Sequence, residues 1–226
     1  MKTFKTGATL DSPSAIAPRF DAKGVAAPPA AFDFDDGRPG IQTSEFLNDQ
    51  YGDCVLAARA HHTLRLRYDP NQHISDDEVL RQYFLEARCK KILRWWKCSG
   101  ISVESSLQAW RDSGWTAATI PNRKIASYAV VDYTNEDNLK AALYTMSGVQ
   151  FTLSLPEGLS SQDACGPNHP WDRTDLKRGS GHAILLHGYD AYGAIGVTWG
   201  VKQWMSWAFI NKYGTGAFVV TPDAST

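Results

Sequence analysis

The stretch Asn48-Asp49-Gln50-Tyr51-Gly52-Asp53-Cys54, running into Val55-Leu56-Ala57-Ala58-Arg59-Ala60-His61-His62-Thr63-Leu64-Arg65-Leu66, decides how this chain is read. Its second part is apolar almost all round at first and more polar later. That pattern predicts a helix buried at its start and wetter toward its end. Gly52-Asp53 is turn-prone, so Cys54 falls at the helix N-terminus. There the free N–H groups and the positive end of the helix dipole favour thiolate over thiol. A buried Cys at a helix start also serves as a small apolar filler, and these residues alone leave both readings open. Asp53 sets a carboxylate beside the sulfur, where it opposes a thiolate unless it turns away. Capping the helix is the expected role.

Further helices follow downstream. Ser75-Asp76-Asp77-Glu78 is a capping box ahead of Val79, Leu80, Tyr83 and Phe84 at helical spacing. A third helix is expected from near Ser102, carrying Val103, Leu107 and Trp110 and ending by Gly114. The second half changes character. Ile125 to Tyr133 reads as a strand, and Thr134 to Asp137 caps a helix with Leu139, Ala142 and Leu143. Val149 to Leu155 alternates strictly and predicts a strand. Residues 157–180 read as a long polar loop, and Ala183–Tyr189, Ala194–Trp199 and Ala217–Thr221 as three more strands. Helices first and strands after imply an α+β chain in two lobes.

Residues 1–31 read as an extended arm, because Pro13, Pro18, Pro28, Pro29, Gly7 and Gly24 break any period. Phe4, Ile16 and Phe20 are candidates to pin it to the body. The remaining 32–226 is long enough for one substantial core. Twenty-three basic against 24 acidic residues give a formal charge of −1, so no global field attracts nucleic acid or a membrane surface. The basic run Arg88 to Arg94 is expected to be a solvated helix face. No apolar leader follows Met1, so a cytoplasmic origin is expected, with release by lysis or packaging in a larger particle left open. Four cysteines make neither a disulfide scaffold nor a zinc site; Cys89 and Cys98 could pair on exposure to oxidant, but two ordinary thiols are the expected reading. No metal or cofactor is expected.

The second half offers the thiol an imidazole. Gly181-His182-Ala183-Ile184-Leu185-Leu186-His187-Gly188-Tyr189-Asp190 sets His182 at the head of a strand, 128 residues after Cys54. This segment resembles the histidine strand of papain-like cysteine peptidases. The segment around Cys54 is similar to that family's nucleophile region. Val197-Thr198-Trp199-Gly200, with Trp204 beyond, resembles its Asn-Ser-Trp-Gly block, and Phe32-Asp33-Phe34 resembles the start of its mature body. Asp137 to Leu155 matches the segment between its lobes. The resemblance covers residues 32–222 in unbroken order and suggests a divergent bacterial or phage-type member.

The resemblance implies a papain-like two-lobed fold, with a helical lobe at about 45–120 and an antiparallel β-rich lobe at about 121–222. It implies Cys54 as nucleophile, His182 as base and later acid, Asn48 as oxyanion donor with Gln50 as second candidate, and Trp199 as a shield over the histidine. One departure stands out. Val197 replaces the Asn that orients the histidine, leaving Thr198, a backbone carbonyl or a bare dyad in that role. The implied reaction is cleavage of an amide bond in a peptide or protein substrate. The alternatives are a catalytically degenerate scaffold for binding or assembly, docking through its arm, and a cell-wall hydrolase. Val55-Leu56 after Asp53-Cys54 disfavours the last. The arm is too short to resemble a folded inhibitory prosegment, so zymogen control of that type is not expected. His61, His62, His73, His169 and His187 have no evident part in catalysis. His61 and His62 are expected to be structural, and His187 to face away from His182.

Overall fold

The computed structural model describes residues 3–10, 12–92, 95–98, 100–116 and 123–224, with backbone only for 91–92 and 95–97. Helix α1 (Cys54–Leu66) runs through the centre and is buried from Cys54 to Arg65, so its far end is drier than its polar sequence predicts. The cause is internal neutralisation. Arg59 pairs with Glu86 at 2.6 Å and lies over the Trp110 and Trp115 rings, while Arg65 grips Asp35 through two bonds of 2.8 and 2.7 Å. A guanidinium so paired can enter a core that would reject it alone.

Around α1 stand α2 (Asp76–Glu86), opened by the Ser75–Glu78 capping box, and α3 (Val103–Asp112), capped by Ser102. Between them a short hairpin, strands Lys90–Ile92 and Trp95–Lys97, occupies the basic run where a helix face was expected, with Leu93 and Arg94 outside the described residues. The hairpin brings its flanks together, and Cys89 and Cys98 form a disulfide with Cα atoms 4.2 Å apart. They are not separate thiols. Antiparallel pairing, invisible in their spacing, sets them opposite each other.

The second lobe is an antiparallel sheet. Counting from the N-terminus, β1 (Phe32–Asp33) and the two hairpin strands, β2 and β3, precede β4 (Ile125–Val130), β5 (Val149–Ser154), β6 (Gly181–Tyr189), β7 (Gly193–Thr198), β8 (Val201–Ser206) and β9 (Gly214–Pro222). The sheet order is β4-β9-β5-β6-β7-β8, with β1 pairing β6. Helix α4 (Glu136–Thr145), capped by Asn135, leads into β5, and α5 (Trp207–Tyr213), capped by Ser206, joins β8 to β9. Two apolar clusters fill the fold. One joins α1–α3 to Ala183 and to the inner residues of β4 and β9. The other lies on the sheet's far side around Phe151, Ile184, Trp199 and Phe209. Burying these side chains contributes about 1.5–3 kcal/mol each before conformational entropy is set against it. The central strand β6 therefore separates two cores and has its N-terminal end at the junction of the lobes. His182 sits at that end.

Candidate active site

Cys54 is the first residue of α1, so its own N–H has no partner one turn back in the helix. Its sulfur is buried. Burial pushes the thiol up to about 11, against the polar backbone of Ala183, Gly7 and Ala8 close by. Ala183 is the residue after His182 on β6. No hydrogen bond joins sulfur to imidazole, because Nδ1 of His182 has no partner among the described residues.

The other ring nitrogen is held. Nε2 of His182 lies 2.7 Å from Oγ1 of Thr198, both fully or nearly buried. With Nε2 donating to the hydroxyl, Nδ1 keeps a lone pair. Burial alone depresses His182 to about 3, so the ring is neutral. Val197 pairs with Leu185 across β6–β7 and is buried without touching this task.

Trp199 covers the imidazole in parallel stacking, centroids 4.2 Å apart and planes inclined by 16°. The placement follows from a tight turn. Thr198 and Val201 pair across β7–β8, and the two residues between them, Trp199 and Gly200, have φ of 45° and 75°. That is the positive-φ pattern of a two-residue hairpin turn. Glycine accepts it freely, whereas a tryptophan there costs of order 1–2 kcal/mol. The cost is offset by ring contacts on both faces, because Phe4 stacks on the indole's other side at 4.7 Å.

On the helical lobe, Asn48 is buried, and its Nδ2 donates to Tyr51 O and to Asp53 Oδ1, each at 3.0 Å. Both amide hydrogens are thus engaged within the loop rather than aimed at the sulfur. Gln50 is exposed. Asp53 does not cap α1, contrary to expectation. Its backbone (φ −98°, ψ 19°) makes no side-chain cap bond, and the side chain is turned toward Asn48. Burial pushes its carboxyl up to about 8, against the Asn48 hydrogen bond. It is therefore protonated and neutral at pH 7, which removes the expected repulsion of a thiolate by a different route.

The N-terminal arm, expected to lie along the surface, runs through the same junction. Phe4 N donates to Ser160 O at 2.9 Å, Lys5 N to Asn48 O at 3.3 Å, and Ala8 N to Gly181 O at 3.2 Å. Trp199 Nε1 donates to Lys5 O at 3.3 Å, and Ala8 bridges Ile101 in parallel. The arm has no helix among its described residues and is hydrogen-bonded to both lobes at their junction.

The remaining histidines are elsewhere. His61 packs on Phe46 and His62 on Trp110, both fully or nearly buried, which fits structural roles. His73 and His169 lie in loops. His187 sits where β6 bulges against β7 and bonds Asp33 Oδ1 at 2.9 Å, beside Asp35 and Lys202. Asp33, Asp35 and His187 are close enough to share a cation, but Arg65 and Lys202 already occupy the carboxylates.

No family model matches the chain, and no curated protein does. Solved structures do. Xylellain, a cysteine protease from Xylella fastidiosa, superposes with a TM-score of 0.72 at 19% identity, over 97% of both chains. A procathepsin B from Trypanosoma congolense gives 0.66 at 10% identity, over 97% of this chain and 87% of that one. A stem bromelain precursor gives 0.63 at 17%, over 98% and 78%. With two lobes, a central helix opening on a cysteine and an antiparallel sheet carrying a histidine at the lobe junction, this chain has the fold of the papain-like cysteine peptidases.

Proposed function

We propose that the chain is a cysteine peptidase in which Cys54 attacks a peptide carbonyl and His182 moves the proton. Nδ1 of His182 takes the thiol proton, and the sulfur adds to the carbonyl carbon. The tetrahedral oxyanion accepts the N–H of Cys54, with Asn48 joining once its amide swings from Tyr51. Collapse expels the amine, which leaves with the proton from His182, and water then hydrolyses the acyl-thioester. Thr198 holds the ring in the tautomer that leaves Nδ1 free, the task that Val197 cannot perform. Trp199 keeps water from the ring.

The observation that carries this reading is the setting of His182: at the head of β6 where the lobes meet, stacked under Trp199, with the neutral Thr198 hydroxyl as its one hydrogen-bond partner among the described residues. Nε2 is bonded to Thr198 while Nδ1, buried, has no partner. Substrates are peptides or proteins, held as extended backbone between the lobes. The Cys89–Cys98 disulfide suits action outside a reducing cytoplasm, consistent with release from the cell after synthesis.

The test is a fluorogenic peptide library assayed with protein lacking residues 2–9, alongside Cys54→Ala and His182→Ala versions. Turnover that both substitutions abolish is expected. Turnover indifferent to Cys54, or none from any peptide while the thiol is open to alkylation, would defeat the proposal.

A further inference from the structure

We infer that Asp53 is a positioning residue for the proposed reaction: its carboxyl holds one hydrogen of the Asn48 amide and so steers the other to the oxyanion. This rests on the peptidase reading above, with Asn48 as oxyanion donor, and adds a residue that acts only through Asn48.

The contact is built into the loop. Residues 44–53 fold back on themselves, with Phe46 N donating to Ser44 Oγ at 3.3 Å, Asn48 N to Glu45 O at 2.9 Å and Tyr51 N to Leu47 O at 3.0 Å. Phe46 and Leu47 have φ of 51° and 62°, a conformation that is costly for any residue with a Cβ. Such strain persists only where the surroundings fix it, and fully buried Phe46 is fixed against His61. The loop thereby carries Asn48 inward, 1% exposed, to within 3.0 Å of Asp53 Oδ1.

The two hydrogens of the Asn48 amide are held unequally. One goes to Tyr51 O, a main-chain carbonyl in a half-buried turn where water can replace the amide. The other goes to Oδ1 of Asp53, a residue with no solvent exposure and so no substitute donor from solvent. When charge develops on the substrate oxygen, the Tyr51 bond is the one that gives way, and the amide turns about the bond that remains. An oxyanion donor is effective when it reorganises little at that moment. Asp53 supplies the restraint, and its side chain leaves α1 uncapped in doing so.

The carboxyl serves while it is uncharged. Burial raises it against the Asn48 bond, Asp49 and Asp76 add to the rise, and it ionises at about pH 8. Cys54 on α1 and Tyr83 on α2 feel it as well, since a negative charge at 53 raises both. Ionised Asp53 therefore disfavours the thiolate and sets an anion behind the oxyanion's own donor. Neither the thiol, at about 11, nor His182, at about 3, titrates near that pH, so an alkaline limb there belongs to Asp53.

The experiment has a spectroscopic arm and a kinetic one. In the nitrogen-15-labelled full chain, NMR follows the Nδ2 protons of Asn48 from pH 5 to 9.5. Their shifts should move with a midpoint near pH 8 and stay flat in Asp53→Asn. Turnover of a fluorogenic peptide is read in the full chain and in protein lacking residues 2–9, with urea unfolding as the check on folding. Asp53→Ala should lose about 10- to 100-fold in kcat with KM little changed, the scale for an outer partner. Asp53→Asn should recover most of it below pH 7 and stay active above pH 8, where the parent protein falls off. Beside Asn48→Ala, Asp53→Ala should cost no further activity, because it acts through the donor. A full additional loss in that double variant would overturn the inference. So would an alkaline limb that stays in place in Asp53→Asn, or flat Asn48 shifts in the parent. If Asp53→Ala does not fold, the Asp53→Asn profile decides alone. These failures leave the peptidase proposal standing as long as Cys54→Ala abolishes turnover. Absence of turnover in both forms of the parent sinks that proposal, and this inference with it.

Discussion

His182 and His187 lie five residues apart on one strand, both without solvent exposure, and the fold treats them in opposite ways. His187 is embedded in charge. Its Nδ1 meets Asp33, and Asp35, Arg65 and Lys202 complete a balanced cluster. His182 has a neutral hydroxyl on Nε2 and an indole over its face, and its Nδ1, like Nε2 of His187, has no hydrogen-bond partner among the described residues. A proton carrier has to give up and regain its proton with little reorganisation, so strong partners would trap it. A structural histidine does better with them. The contrast teaches that burial, residue type and an unpaired ring nitrogen do not mark a catalytic histidine, since Nε2 of His187 is unpaired too; what differs is a neutral partner and a stacked indole on one side, and an embedding in charge on the other.

The largest expected effect breaks the pair apart by function. In protein lacking residues 2–9, His182→Ala should lower kcat/KM by about 10³-fold or more, as losing the base of a nucleophile–base unit does. His187→Ala should leave kcat/KM within a few-fold in whatever fraction folds, yet lower the melting temperature clearly. Steady-state kinetics beside calorimetry checks both. Equal kinetic losses would erase the distinction between the two histidines.

Second is the charge cluster itself. Burial opposes the charge on Asp33, but the His187 hydrogen bond and charge, the Asp35 N–H and Lys202 outweigh it and hold the carboxyl well below its usual range. A depressed carboxyl contributes stability above its unfolded value near pH 4 and loses that contribution as pH falls toward its folded value. Asp33→Asn should therefore destabilise at pH 7 by about 2–4 kcal/mol, the scale of breaking a buried pair. The difference should shrink below pH 4. Urea unfolding at pH 3 and pH 7 reads it, and a pH-independent deficit would mean packing rather than charge.

How far the sequence led is clear from these same residues. Helix α1, the Ser75 capping box and strands β5 to β7 were legible because apolar period and cap chemistry are local signals. Thr198 was one of several candidates, since which of two adjacent strand residues faces the histidine depends on register. The strands β2, β3 and β8 and helix α5 gave weak signals, being short or carrying polar residues such as Gln203 that are buried only in the tertiary structure. The disulfide, the protonated Asp53 and the arm's course are products of long-range contact, and no local pattern reports them. Phe4 was read as an anchor, but nothing in the sequence said that its partner would be the tryptophan over His182.

A smaller effect is expected at Thr198. Thr198→Val keeps the shape but removes the acceptor, leaving Nε2 unpaired and the tautomer free to invert. Activity of the protein lacking residues 2–9 should fall about 10- to 100-fold, mostly in kcat, as for loss of an orienting partner. Thr198→Ser, which keeps the hydroxyl, should recover most of it. The acidic limb of the kcat/KM profile should move in the valine form and return in the serine form. A merely structural role would lower stability in the valine form and leave that limb in place.

The smallest effect concerns Asp53, and its sign is the opposite of the Asp33 case. Burial raises this carboxyl to about 8, so between pH 4 and 8 the folded chain holds a proton that the unfolded chain releases. Its contribution to stability is full below the unfolded value near 4. It declines as pH rises and is lost through about pH 8. Asp53→Asn keeps an oxygen for Asn48 and cannot ionise. It should be nearly neutral at pH 4 and stabilising by about 1–3 kcal/mol at pH 8, the usual scale for sparing a buried polar group an unmet cost. Beyond pH 8 the gain should rise no further. Chemical unfolding from pH 4 to 9 measures the trend. A gain that is flat across that range would mean Asp53 is already ionised in the folded protein, and a carboxylate would then stand beside the proposed nucleophile after all.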